Sequence, residues 1–195
     1  MKTNLWKGGQ VDLIDKRTQL IRTAVLILLI CILTYIVSLP LSTCGSRSVT
    51  TVQEFYNEPP DSLDAVFIGS SASFDFLNPM IAWNEQGIAT YSFCSSGCEI
   101  EMLRYMIEET RKTQPDAVYV VTIADPYVNT KFSYAHYLID SMPWSDTKVE
   151  LIRDITRFNK YTIDEIISFY FPFYLYHARW DNITTDDFVS LTEIG

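Results

Sequence analysis

The chain has 195 residues, 48% of them hydrophobic and 14% aromatic, with a formal net charge of −9 at pH 7. The first 22 residues carry Lys2, Lys7, Lys16, Arg17 and Arg22 against Asp12 and Asp15, whereas everything from Cys44 onward carries ten Lys and Arg against 22 Asp and Glu, a net of −12. A large acidic part of this kind excludes nucleic acid and anionic membrane surfaces as partners, because like charges repel.

The first predicted element is a membrane span over 23–41, TAVLILLICILTYIVSLPL, which holds no charged residue and has the length a helix needs to cross a bilayer core. The positive flank before it predicts a cytoplasmic tail over 1–22 and an exported remainder, a single-pass cell-membrane topology. A cleaved signal peptide competes with an anchor. The apolar stretch is longer than a usual signal core and no A-x-A-like site follows Leu41, so the anchor is the reading adopted. Leu41-Ser42-Thr43-Cys44 is a loose match to a lipoprotein cleavage box, with threonine where a small residue normally stands. A polar stalk is expected over 42–61, its end at Glu58-Pro59-Pro60 extended by the prolines.

A globular domain over 62–195 opens with Ala65-Val66-Phe67-Ile68, an apolar run of the kind that forms a buried parallel strand. It stops at Gly69-Ser70-Ser71-Ala72-Ser73. Small hydroxyl residues at the carboxyl end of such a strand stand where open α/β sheets place ligands, which makes Ser71 or Ser70 a candidate nucleophile. A turn that simply caps the next helix accounts for the same residues equally well. A short helix is expected over Phe76–Glu85, with Pro79 in its first turn and Gly87 past its end, followed by a strand over Ile88–Phe93.

The stretch 98–113 predicts the strongest helix outside the membrane, with Ile100, Leu103 and Ile107 on its apolar face. Ser95-Ser96-Gly97 before it offers backbone N–H groups at a positive helix end. Cys94 and Cys98 frame this turn, either as a disulfide or as two small residues filling a tight junction; the two histidines, His136 and His177, stand at no zinc spacing from them, and neither a metal nor a cofactor is expected. Ala117–Ile123 reads as a third buried strand, with Asp125 at its carboxyl end.

Strand, helix, strand, helix, strand implies right-handed crossovers and a parallel, flavodoxin-like three-layer α/β sandwich, of which about three strands are visible. All three strands then end on one edge and bring Ser70, Ser71, the 95–97 turn and Asp125 together. Further helices are expected over 147–157 and 162–170. The aromatic run from Phe169 to Tyr176 reads first as core packing or a groove lid, and second as a sugar-stacking surface.

These motifs, in this order, resemble the SGNH (GDSL-type) hydrolase superfamily over roughly residues 55–180. The likeness is strongest to its membrane-anchored bacterial members that act on cell-envelope polymers, such as the D-alanyl transfer protein of teichoic acid and the alginate-type O-acetyltransferases. Gly69-Ser70-Ser71 stands where the superfamily has Gly-Asp-Ser. The resemblance implies that Ser71 is the nucleophile, that the amides of Ser71 and Gly97 form the oxyanion hole, and that a serine esterase or O-acyltransferase acts on cell-envelope polysaccharide or teichoic acid. Two blocks depart from the pattern. Thr122-Ile123-Ala124-Asp125-Pro126 replaces Gly-x-Asn-Asp, and Asp-x-x-His occurs nowhere in the 195 residues. A serine without a base is a poor nucleophile, so His136 and His177 become substitutes to weigh, His136 also as a residue of the site edge. The expectation is a domain lacking its C-terminal part, with inactivity of this short form and a non-catalytic glycan- or partner-binding module as the alternative function.

Overall fold

The computed structural model describes residues 5–42, 46–123 and 132–182, which leaves Cys44 and Asp125 outside the described residues. Helix α1 (Leu5–Ser42) is one continuous rod. Its Lys16–Ser38 portion is long and apolar enough to cross a membrane and is not buried against the protein. The span expected over 23–41 therefore lies within a longer helix that starts well before the apolar stretch.

Only four residues separate α1 from α2 (Arg47–Phe55). The region expected to be a stalk is thus corrected. Ser48, Val49, Val52 and Phe55 are all buried, and the aromatic ring of Phe55 meets Tyr91 at 5.4 Å and Phe93 at 4.9 Å. Apolar residues three apart at 49, 52 and 55 form one face of a helical turn, and burial of that stripe keeps so short a helix folded.

Strand β1 (Ala65–Gly69) is central, with β2 (Thr90–Cys94) and β3 (Val118–Thr122) parallel on either side in the order β2-β1-β3. The register aligns Gly69 with both Cys94 and Thr122, so the three strands end together. Between β1 and β2 come α3 (Ser71–Phe76) and α4 (Pro79–Gln86) in place of the single expected helix. The break is the effect of Pro79 on the residues before it: Leu77 and Asn78 are extended, and the Asn78 side chain caps α4 by accepting from the Met80 amide at 3.0 Å.

Helix α5 (Ile100–Thr110) links β2 to β3. Its buried face is Met102, Leu103, Tyr105, Met106, Glu109 and Thr110, whereas Ile100 is exposed and Ile107 half-buried. The expected stripe is rotated because α7 (Asp146–Phe158) packs against α5, and Tyr105 hydrogen-bonds across to Asp154 there. Helices α6 (Phe132–Ile139), α8 (Ile163–Tyr170) and α9 (Pro172–Tyr176), with a 3₁₀ turn over His177–Asn182, complete the described chain. Reciprocal hydrogen bonds between Thr162 and Glu165 cap α8, and Ser145 caps α7.

The core joins Val66 and Ile68 of β1, Phe93 of β2, Val52 and Phe55 of α2, Met102 and Met106 of α5, and Leu151, Ile152 and Ile155 of α7. The protein is therefore mixed α/β with a small three-stranded parallel sheet. No side chain of α4 is buried, and Val118, Val120, Val121 and Ile123 of the β3 region are exposed. In a covered parallel sheet both faces would be shielded.

Candidate functional site

The site is built where β1 and β2 end. The Ser95 amide donates to the Gly69 carbonyl at 3.1 Å, one residue beyond the paired strands, so the 69–71 and 95–97 turns lie side by side. Gly69 makes the first turn possible. A Cβ there would collide with the Ser73 hydroxyl and lie 3.0 Å from the Thr122 carbonyl oxygen. Gly97 makes the second, at φ +63° with the Tyr134 side chain of α6 filling the space a Cβ would need.

Ser70 is the extended residue before α3 and is half-buried, and Ser71 opens α3 and is exposed. Behind them Ser73 and Ser95 are almost fully buried; the Ser73 hydroxyl faces the Cys94 thiol, and the Ser95 hydroxyl has no hydrogen-bond partner among the described residues. Buried polar atoms normally find a partner, so the lone Ser95 hydroxyl next to the Ser73–Cys94 contact marks a place where polar groups gather.

The turn before α5 is less open than the sequence implies. The Ser96 amide and Ser96 hydroxyl are both 2.9 Å from the Ser48 hydroxyl, and the Cys98 amide donates to the Ser95 carbonyl at 3.2 Å. Helix α2 therefore borders the site. Arg47 adds to this border: its guanidinium donates to the Phe74 carbonyl at 3.1 Å and lies 4.7 Å from the centre of the Phe74 ring. Sequence reasoning missed Arg47 and Ser48, although the spacing of Val49, Val52 and Phe55 carried the signal for a helix that would place them.

Cys94 and Cys98 are free thiols. Cys94 lies 3.5 Å from the Phe67 carbonyl and Cys98 lies 3.3 Å from the Met106 sulfur, so of the two readings of the pair it is the packing one that the structure has. Burial pushes the Cys94 thiol up to about 11, against the lowering effect of the Ser73 hydroxyl, the Gly69 backbone and the Arg47 charge. Burial also raises Cys98. Neither is a thiolate at neutral pH.

His136 lies in a different constellation. Its Nδ1 is 2.9 Å from Asp140 Oδ2 and its Nε2 is 3.2 Å from Ser168 Oγ, while its ring stacks on Phe169 at 4.4 Å. Tyr176 donates to the same Asp140 oxygen at 2.9 Å. The order hydroxyl, imidazole, carboxylate is that of a hydrolase triad. His136 and Ser168 are each 1% exposed, however, and the Ser168 hydroxyl also donates to the Glu165 carbonyl at 2.6 Å, so no acyl carbonyl reaches it. This cluster ties α6, α8 and α9 together. His177 is exposed and its Nδ1 donates to the Tyr174 carbonyl at 2.7 Å.

Among the described residues, no group of three or more His, Cys, Asp or Glu side chains is placed to hold a metal ion. No protein family, no curated protein and no solved structure matches the chain.

Proposed function

We propose that this is a membrane-anchored serine esterase or O-acyltransferase of SGNH type, acting outside the cell on envelope polysaccharide or teichoic acid. The observation that carries the reading is the hydrogen bond from Ser95 to Gly69, which sets an exposed Ser71 beside the 95–97 turn. Ser71 Oγ would attack the acyl carbonyl with its proton passing to water, while the amides of Ser71 and Gly97 would face the developing oxyanion. The bond from the acyl carbon to the donor oxygen would break to release the donor alcohol, and water or a sugar hydroxyl would then take the acyl group from Ser71. The finer, flavodoxin-like layering belongs to the same proposal and is supported by the β2-β1-β3 order of parallel strands.

A second reading is favoured by the partners of the histidines. With His136 held by Asp140 and Ser168 and His177 by a backbone carbonyl, the same edge serves a tethered binding module for envelope glycans.

One experiment separates the two. A fluorophosphonate probe applied to the full chain in detergent is expected to label Ser71 and to leave Ser71→Ala unlabelled. Equal labelling of both overturns the esterase. Absence of labelling, together with glycan retention that Ser71→Ala leaves unchanged, establishes the binding module in its place.

A further inference from the structure

The aromatic segment after α8 has two faces. Phe169 and Tyr176 point inward onto His136 and Asp140. Between and beyond them, Phe171, Tyr174 and Trp180 are 66%, 48% and 69% exposed. Core packing accounts for the first pair and leaves the second set unexplained. Large aromatic side chains with a polar handle are enriched where one end meets hydrocarbon and the other meets water, at the headgroup level of bilayers.

Two observations place this segment near the membrane. Helix α9 and the 3₁₀ turn after it both lie close to α1, the helix that carries the apolar span. The chain from Ser42 to Arg47 extends at most about 18 Å, and α2 is already part of the core, so the domain has no stalk on which to stand away from the end of α1. We propose that the outward rings of Phe171, Tyr174 and Trp180 seat the domain in the headgroup region of the bilayer leaflet from which α1 emerges. The net charge of −12 beyond the span gives no attraction to anionic lipid, so the occupant is a neutral, zwitterionic interface entered by aromatic burial. Because Phe169 and Tyr176 fix the same segment to the core, the seat also holds the domain at one tilt relative to the membrane.

This rests on α1 crossing the bilayer and is independent of any chemistry at Ser71. The test uses the full chain in phosphatidylcholine vesicles, with Phe replacing Trp6, Trp83 and Trp144 so that Trp180 is the single reporter. Lipid brominated near the headgroup end of its acyl chains is expected to lower Trp180 emission about twofold, and lipid brominated near the chain end much less. A reporter at Trp83 alone is expected to be untouched by either. In the chain with all other tryptophans native, Trp180→Phe is expected to remove most of the shallow-lipid quenching. A Leu28→Trp reporter in a background with the four native tryptophans replaced checks the premise through quenching by the deep label. If Leu28→Trp is quenched and Trp180 is not, the seat is overturned while the span stands. If Leu28→Trp is not quenched, both fall. Shielding of Trp180 from aqueous iodide without any lipid quenching means that protein covers it, and this too overturns the proposal.

Discussion

The Ser95 amide and the Gly69 carbonyl are 3.1 Å apart, and this single bond extends the β1–β2 pairing into the two turns that frame the candidate site. It works only because neither turn carries a side chain at its tightest point. Gly69 accommodates the Ser73 hydroxyl and the Thr122 carbonyl, and Gly97 accommodates the Tyr134 ring.

Alanine at either glycine is therefore expected to destabilise the domain by about 1–3 kcal/mol, the usual effect of forcing extra volume into a packed site. Urea unfolding of the chain in detergent, followed by circular dichroism, measures it. At Gly97 the collision is with one ring, so pairing Gly97→Ala with Tyr134→Ala is expected to cost less than the two single losses added together, while a residual penalty of about 1 kcal/mol from the left-handed backbone persists. Strict additivity would refute the contact.

His136 joins three helices through both ring nitrogens and a stacked face. His136→Ala leaves a cavity against Phe169 and removes a partner of the buried Asp140 carboxylate, which among the described residues also accepts from Tyr176. A loss of about 3 kcal/mol is expected by the same unfolding measurement. At a temperature where the variant is folded, Ser71 labelling by the fluorophosphonate is expected to equal that of the wild type. A selective loss of labelling with stability intact would instead make His136 the base.

Lys148 is buried, with its ammonium donating to the Met142 carbonyl at 2.9 Å and facing the Trp144 ring at 4.5 Å. Burial lowers its pKa to about 8, with the nearby charges of Asp140 and Glu109 acting in the opposite direction. Between about pH 8 and the unfolded value of 10.5 the unfolded chain binds a proton that the folded chain does not, so this group makes stability rise with pH across that window. Below pH 8 both states are protonated and the full penalty of the buried charge remains. Relative to Lys148→Met, which lacks the titration, wild type is expected to gain up to about 3 kcal/mol between pH 8 and pH 10.5. A difference that is flat in pH, or that falls, would sink the assignment.

Much of the strand architecture was legible because β1 and β3 lie in short apolar runs and β2 in a short aromatic one, each with turn residues at its ends. Val66 and Ile68 need no neighbour to declare themselves buried. The helices were less legible. The apolar stripe of α5 was placed on Ile100, Leu103 and Ile107, but its buried face includes Glu109, a residue that is apolar by no scale and is buried because Tyr56, Lys112 and Ser145 receive it. The polar composition around α2 concealed the Val49, Val52 and Phe55 stripe, whose burial depends on Tyr91 and Phe93, some 40 residues away.

The sequence by itself determined the apolar span, the charge contrast across it, the three strands and the candidate turns, since these follow from local hydrophobicity and from residue types that tolerate tight backbone geometry. Only the tertiary structure decided that α2 closes against the Ser96 turn, that Cys94 and Cys98 face different partners, and that His136 is held by Asp140 and Ser168. Asp140 is one helical turn from His136, but Ser168 is 32 residues away. The reason is that a hydrogen bond between distant side chains is set by how whole helices pack, and no window of neighbouring residues contains that information.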